Sequence, residues 1–293
     1  MYNDKNLAKK AAVFSLFAAI PLFAFLMIVI LPFFMGLYMT FTNMGVVVSF
    51  EFIGLDNYRR AFDSTRFWNS FGVTIRYVIF TVILANLFGL ILALLVTSGI
   101  KGQNAFRVGF FTPNLIGGII LGYIWQFLFI RMLPVFGETV GIGILSTSWL
   151  ADPVRAFWAL VVVGVWQSSG YMMIIYIAGL MSVDKSQIEA ASLDGAGYLR
   201  TLVSIKMPLM VPAFTVCLFL TLRNSFMIYD LNLALTNGGP FLSTEMVTLA
   251  IFNEAFTSRN FGVAQVQSLI LFAVIAVVTL TQVGLLKRKE VQA

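Results

Sequence analysis

Long apolar runs broken by short polar segments set the pattern of this chain. A helix that crosses the hydrocarbon core of a bilayer needs about 20 mainly apolar residues. Six stretches reach that length: about Val13–Leu37, Phe71–Val96, Val108–Phe129, Ala156–Leu180, Leu209–Ile228 and Ser268–Leu286. The polar segments between them are too short for a separate soluble domain. Residues 1–293 therefore read as one transmembrane domain: an all-α, polytopic membrane protein with six transmembrane helices. Lys9 and Lys10 precede the first run as they would in a secretion signal. That run is too long for a signal core and lacks a small-x-small cleavage site, so it reads as a retained anchor. Pro21 and Pro32 fall in the first span, "TPN" at Thr112–Asn114 opens the third, and Pro212 lies early in the fifth. Breakers in lipid are tolerated where neighbouring helices or cavity water satisfy the freed backbone, which favours a bundle around a path.

Composition agrees with the pattern. Hydrophobic residues make up 59% of the chain and charged residues only 11%, at a mean hydropathy of +0.91. Soluble domains run near 25% charged, too many for this chain to match on a wetted surface. There is no His, and the single Cys217 lies in an apolar run. An internal disulfide is thus impossible, and His- or Cys-based zinc and nucleophilic sites are excluded.

The net charge of +6 falls on one side of the membrane. With the N-terminus inside, the cytoplasmic pieces carry Lys5, Lys9, Lys10, Lys101, Arg107, Lys185, Arg200, Lys206, Lys287, Arg288 and Lys289. Against these 11 stand five acids, Asp4, Asp184, Glu189, Asp194 and Glu290, and the remaining eight Arg balance the remaining eight acids. Such asymmetry is the positive-inside rule, and both termini then face the cytoplasm of a prokaryotic inner membrane. The basic balance is an orientation signal, not a nucleic-acid patch.

One polar segment, residues 182–208, has internal design. Asp184 with Gln187 three residues on opens a helix, "KSQIEAASL" continues it, and Gly195 and Gly197 stop it. A second helical stretch leads to Pro208 and the next span. An amphipathic connector lying on the membrane surface has the same pattern. A low-profile helix for a groove on another protein, with Glu189 as its polar anchor, is the other reading.

"EAASLDGA" at Glu189–Ala196, followed by Ile205 and Met207-Pro208, resembles the EAA loop of the integral permeases of ATP-binding-cassette importers. "FIGLDNYRRAF" at Phe52–Phe62, "WLADP" at Trp149–Pro153, "LTNGGP" at Leu235–Pro240 and "FGVAQVQSLILF" at Phe261–Phe272 are similar to the carbohydrate-uptake branch, in its maltose/lactose/glycerol-phosphate-type first subunit. Met207 stands where that family usually has Leu. The resemblance implies a type I importer permease fold, with 182–208 as a cytoplasmic coupling loop seated in a cleft of a partner ATPase. By the same likeness Glu189, Ala190, Ala191, Asp194 and Gly195 carry that contact. It also implies a second homologous permease subunit forming a heterodimer, two cytoplasmic ATPase subunits and an extracytoplasmic solute-binding protein. The chain has no G-x-x-x-x-G-K-[ST], so it holds no cofactor itself, and ATP and Mg belong to the partner ATPase.

Two polar groups inside the spans suggest a substrate path. Gln167, Ser168 and Tyr171 in "WQSSGY" fall at relative angles of about 0°, 100° and 40°, and Thr221, Asn224 and Ser225 in "TLRNS" span a similar arc. Both groups lie about 15–25 Å into their helices, at similar depth. Neutral amides and hydroxyls beside Trp166 and Tyr171 suit a polyol such as an oligosaccharide. Counted from Glu189, the six positions also match the substrate-lining places of the maltose-type permease. Helix-to-helix glue is the alternative use of such residues. Arg223 points away from its stripe, either snorkelling or reaching an acidic sugar or a phosphate.

The sequence thus reads as the transmembrane subunit of an importer, driven by a partner ATPase, that moves a carbohydrate. Glycerol phosphate or an acidic saccharide is the variant substrate. A cation-coupled carrier typically needs a carboxylate near the midplane, and the 13 acids fall in tails, loops or span ends. An intramembrane enzyme lacks a nucleophile–base pair or metal-ligand cluster.

Overall fold

The computed structural model describes residues 5–43 and 51–288. Asp4, Lys289 and Glu290 of the charge count lie outside the described residues, as do the side chains of Lys5 and Lys10. The regular elements among the described residues are all helices, apart from an isolated bridge between Thr42 and Phe52. In chain order the helices are α1 (Val13–Met39), α2 (Asp56–Asp63), α3 (Thr65–Val96), α4 (Gln103–Leu115), α5 (Gly118–Val140) and α6 (Pro153–Met181). They continue as α7 (Lys185–Leu193), α8 (Tyr198–Leu209), α9 (Val211–Phe226), α10 (Asp230–Leu235), α11 (Val247–Thr257) and α12 (Phe261–Lys287).

Among the described residues five helices are long and apolar enough to cross a membrane, and α8 with α9, bent by 69°, is a sixth only when the bent pair is counted as one span. The bend falls at Met210, between Pro208 and Pro212. Pro212 has no N–H to return to the carbonyl of residue 208, so the ladder stops there. The predicted third span, Val108–Phe129, is distributed over α4 and α5 with a break at Ile116–Gly117, and the unbroken apolar helix is Gly118–Val140. Three wide π-type turns, Leu26–Ile30, Leu128–Met132 and Leu202–Lys206, each end two residues before a proline: Pro32, Pro134 and Pro208. Local widening re-pairs backbone groups that a proline would leave unmatched in lipid.

The chain divides into two compact units, Met1–Ser64 with Ile251–Leu269, and Thr65–Ala250 with Ile270–Ala293. In the first unit Asn57 ties α2 to the end of α1's segment, its Nδ2 donating to the carbonyls of Thr40 and Thr42 at 2.9 Å each. The second unit is built on α3 against α6, with α4, α5, α9 and α10 packed around them. Small residues let these helices approach. A Cβ on Gly89 of α3 would come within 2.7 Å of Met172 Cβ, and one on Gly170 of α6 would overlap the Phe110 carbonyl of α4. The core there includes Tyr77, Leu160, Val163, Met172, Met173 and Tyr176. Polar contacts cross it: Tyr176 Oη donates to Asn86 Oδ1 (2.7 Å), and Asn86 Nδ2 donates to Thr221 Oγ1 (2.9 Å).

Candidate functional site: a polar cavity between broken helices

Inside the second unit a cavity of about 360 Å³ is walled by α3, α6, the end of α4, the N-terminus of α5, the last turn of α9, the turn 227–229 and the start of α10. Gln167 and Ser168 contribute from the middle of α6, and Asn224 and Ser225 from the end of α9. These four of the six predicted path residues are brought together. Tyr77, Thr81, Asn114, Tyr229 and Asp230 join them. Gln167 Nε2 donates to the Ile116 carbonyl at 3.1 Å, so its amide satisfies the very break that separates α4 from α5. Two interruptions of helical backbone in this unit, at 116–117 and at 227–229, meet at this cavity. Non-helical backbone at membrane depth is stable only where protein or water replaces the lost pairing.

The other two predicted residues lie elsewhere. Thr221 is buried in the α3–α9 contact, where it accepts from Asn86 and donates to the Cys217 carbonyl at 2.8 Å. It is helix-to-helix glue. Tyr171 sits one turn beyond Gln167, where α4 closes against Gly170; its ring lies 6.4 Å from that of Phe111 and does not line the cavity. Trp166, expected to stack on substrate, instead makes an edge-on pair with Trp125 at 5.4 Å. Arg223 donates from Nη1 to Asn224 Oδ1 at 3.3 Å and also stays outside the lining.

Asp230 corrects a premise of the sequence reading. It follows a predicted span end, yet α9 has only 16 residues, about 24 Å of helix, and stops short of a full crossing. The chain then turns and starts α10 at Asp230 beside Gly118, the first residue of α5; a Cβ there would lie 2.8 Å from Asp230 Cβ. A carboxylate therefore lines the same cavity as Gln167, which lies halfway along α6. Asp230 is itself the first residue of α10 and adjoins the first residue of α5. Short apolar-looking segments hide such a placement, because span prediction assumes that a helix which enters the bilayer also leaves it.

Segment 182–208 forms the helix, cap and turn expected from its residues. Asp184 caps α7, its Oδ1 accepting from Ser186 N at 2.9 Å, and this bond holds the carboxyl below the usual Asp range. The helix ends in a glycine cap: Gly195 has φ of +78°, and Ala196 N donates to Ala191 O at 2.9 Å. Glu189, Ala190, Asp194 and Gly195 are exposed, whereas Ala191 is buried and turned towards the protein's own side. Leu193 (89% exposed), Tyr198 and Leu199 stand bare next to them. An apolar cluster on a polar connector marks a contact surface.

The loop after α10 is pinned by a buried amide. Buried Asn232 donates to the Thr244 carbonyl (2.8 Å) and accepts from Met246 N (3.0 Å). Phe241 at its tip is 93% exposed and borders a second cleft, of about 770 Å³, together with Arg66, Arg76, Phe157 and Trp158.

Comparison with known proteins decides the family. Residues 85–290 match the family model of the binding-protein-dependent transport system inner membrane component. The chain belongs to this family. It is a multi-pass membrane protein and a transport-system permease subunit, not an enzyme. A permease of Thermoanaerobacterium thermosulfurigenes described as a probable starch degradation products transport system protein is 40% identical over 98% of this chain and 100% of its own length. A multiple sugar-binding transport system permease of Streptococcus mutans is 32% identical over 94% of this chain and 95% of its own length. The fold matches a bacterial ABC transporter involved in import of the acidic polysaccharide alginate, with a TM-score of 0.84 over 97% of this chain and 98% of that one, at 18% identity. The same type of transporter in complex with a pentasaccharide-bound periplasmic protein superposes with a TM-score of 0.82 over 95% of this chain and 94% of that one, also at 18% identity.

Proposed function

We propose that the chain carries a carbohydrate, an oligosaccharide, across the inner membrane by alternating access driven by a partner ATPase. The observation that carries this reading is the cavity in which two helix breaks meet, lined by the neutral donors and acceptors of Gln167, Ser168, Asn224 and Ser225. Amides and hydroxyls at mid-height offer a sugar replacements for its hydration, and the sugar-system names of the relatives point the same way. The assembly pairs this chain with a second, homologous permease subunit, two cytoplasmic ATPase subunits that bind ATP and Mg, and an extracytoplasmic solute-binding protein. Both termini face the cytoplasm.

In this mechanism α7 is the handle. Glu189, Ala190, Asp194 and Gly195, with Leu193, sit in a cleft of the ATPase, while Ala191 seats the helix on its own protein. ATP-driven closure of the motor carries α7 with it and favours one of two bundle arrangements, a population shift rather than a direct push on substrate. Uptake of labelled oligosaccharides by inside-out and right-side-out vesicles containing the full complex tests the reading. Accumulation that needs ATP on the α7 side and binding protein on the other supports it; accumulation without nucleotide overturns it.

A further inference from the structure

We propose that Asp230 is a specificity-determining residue that admits neutral hydroxyl-bearing substrates and turns anionic ones away. The inference rests on the cavity's being the substrate path and goes beyond it, to charge selectivity. Asp230 is the one Asp, Glu, Lys or Arg among the residues lining that cavity. Its carboxylate is exposed, and among the described residues no cation forms an ion pair with it. Arg223, the cation one residue from the lining, is engaged with Asn224 Oδ1 and does not line the space.

A carboxylate is acceptor-only and takes two donors at once, which matches the paired hydroxyls of a sugar ring. A uronate or phosphate presents the same sign of charge and no donors at that edge. The surrounding amides and hydroxyls serve either class, so the carboxylate alone discriminates. Gly118 makes room for it: a side chain there would collide with Asp230 Cβ at 2.8 Å.

The experiment uses the full transport complex in nanodiscs, with the chain carrying Ser168→Cys or Asn224→Cys, both in the cavity wall; buried Cys217 is the unlabelled background. Cationic and anionic methanethiosulfonates of equal size are compared, each rate normalised to a free thiol. The cationic reagent reacts faster by about tenfold, as expected for a single charge within several ångströms at intermediate dielectric. Asp230→Asn brings the ratio to near one, and Arg223→Gln does not. Millimolar maltotriose slows labelling in both backgrounds, whereas trigalacturonate does so only after Asp230→Asn. A ratio unchanged by Asp230→Asn, or equal protection by trigalacturonate in both backgrounds, overturns the inference while leaving the path intact. No reaction at either cysteine with either reagent instead removes the path itself, and the selectivity with it.

Discussion

Arg66 grips Glu245 with two charge-assisted bonds, Nε to Oε2 at 2.9 Å and Nη2 to Oε1 at 2.6 Å, across 179 residues of sequence. Ser70 Oγ adds a third donor at 3.3 Å. The carboxylate is 1% exposed and the guanidinium 40% exposed, so one partner is sealed and the other half wet. The pair fastens the loop that follows α10 to the first turn of α3, directly below the exposed tip residue Phe241.

Breaking the pair from one side leaves Glu245 charged, buried and short of donors. For fully buried pairs such a loss costs about 3–5 kcal/mol; the wet arginine reduces this to about 2–3 kcal/mol for Arg66→Ala. The apparent melting temperature of the detergent-solubilised chain should fall by about 4–8 °C. Arg66→Met combined with Glu245→Leu should recover much of the drop, since apolar replacement removes the stranded charge. A double variant as unstable as Arg66→Ala alone would show that the loop needs the ion pair itself.

At Gly195 the constraint is conformational, not spatial. Its φ is +78°, and an added Cβ would meet nothing within 4 Å. Gly195→Val forces a branched residue into the left-handed region at about 1–2 kcal/mol and frays the end of α7, whereas Asn tolerates that region. Uptake by the assembled transporter should be lost with Val and largely kept with Asn, with equal amounts of both in the membrane by immunoblot. Equal uptake by the two would mean that the turn can open without uncoupling transport.

How much of this was readable beforehand depends on the kind of signal. Apolar length announced the crossings, and the polar pattern announced helix α7 down to its cap at Asp184 and its stop at Gly195. Ser168 and Asn224 were legible because polar residues amid apolar ones stand out. Tyr171 and Thr221 stood out equally, yet they pack against Phe111 and Asn86. Helical angle assigns a face, and only neighbouring helices decide whether that face meets a cavity or a wall. Asp230 was hidden for a different reason: its place on the cavity wall follows from α9 ending early, a tertiary fact with no local signature.

Asp184 makes α7 sensitive to acid. Its amide partner, Ser186 N, lowers the carboxyl pKa in the folded chain relative to the unfolded one. The cap's contribution is therefore complete above about pH 4 and disappears as pH falls through the lowered folded value. A nitroxide label at exposed Leu193 should report constant mobility from pH 8 to about 5 and rising mobility below about 4. In Asp184→Ala the label should be mobile at every pH. Matching mobility of the two proteins at neutral pH would mean that α7 is held by something other than its cap.

The contrast between Thr221 and Ser168 separates packing from passage. Thr221 Oγ1 joins Asn86 and, through it, the Tyr176 hydroxyl, so one substitution disturbs a chain of bonds linking α9, α3 and α6. Thr221→Val keeps the shape but leaves Asn86 Nδ2 without that acceptor, at about 1–3 kcal/mol. Ser168→Ala removes a hydroxyl that lines open space, where water takes over, and should cost less than about 0.5 kcal/mol. Thermal stability should thus fall for Thr221→Val and hold for Ser168→Ala. Sugar uptake per folded complex should do the reverse, holding for Thr221→Val and dropping several-fold for Ser168→Ala through a weaker apparent affinity. If Thr221→Val instead weakened apparent affinity at unchanged stability, the substrate path would extend one turn deeper along α9 than the cavity does.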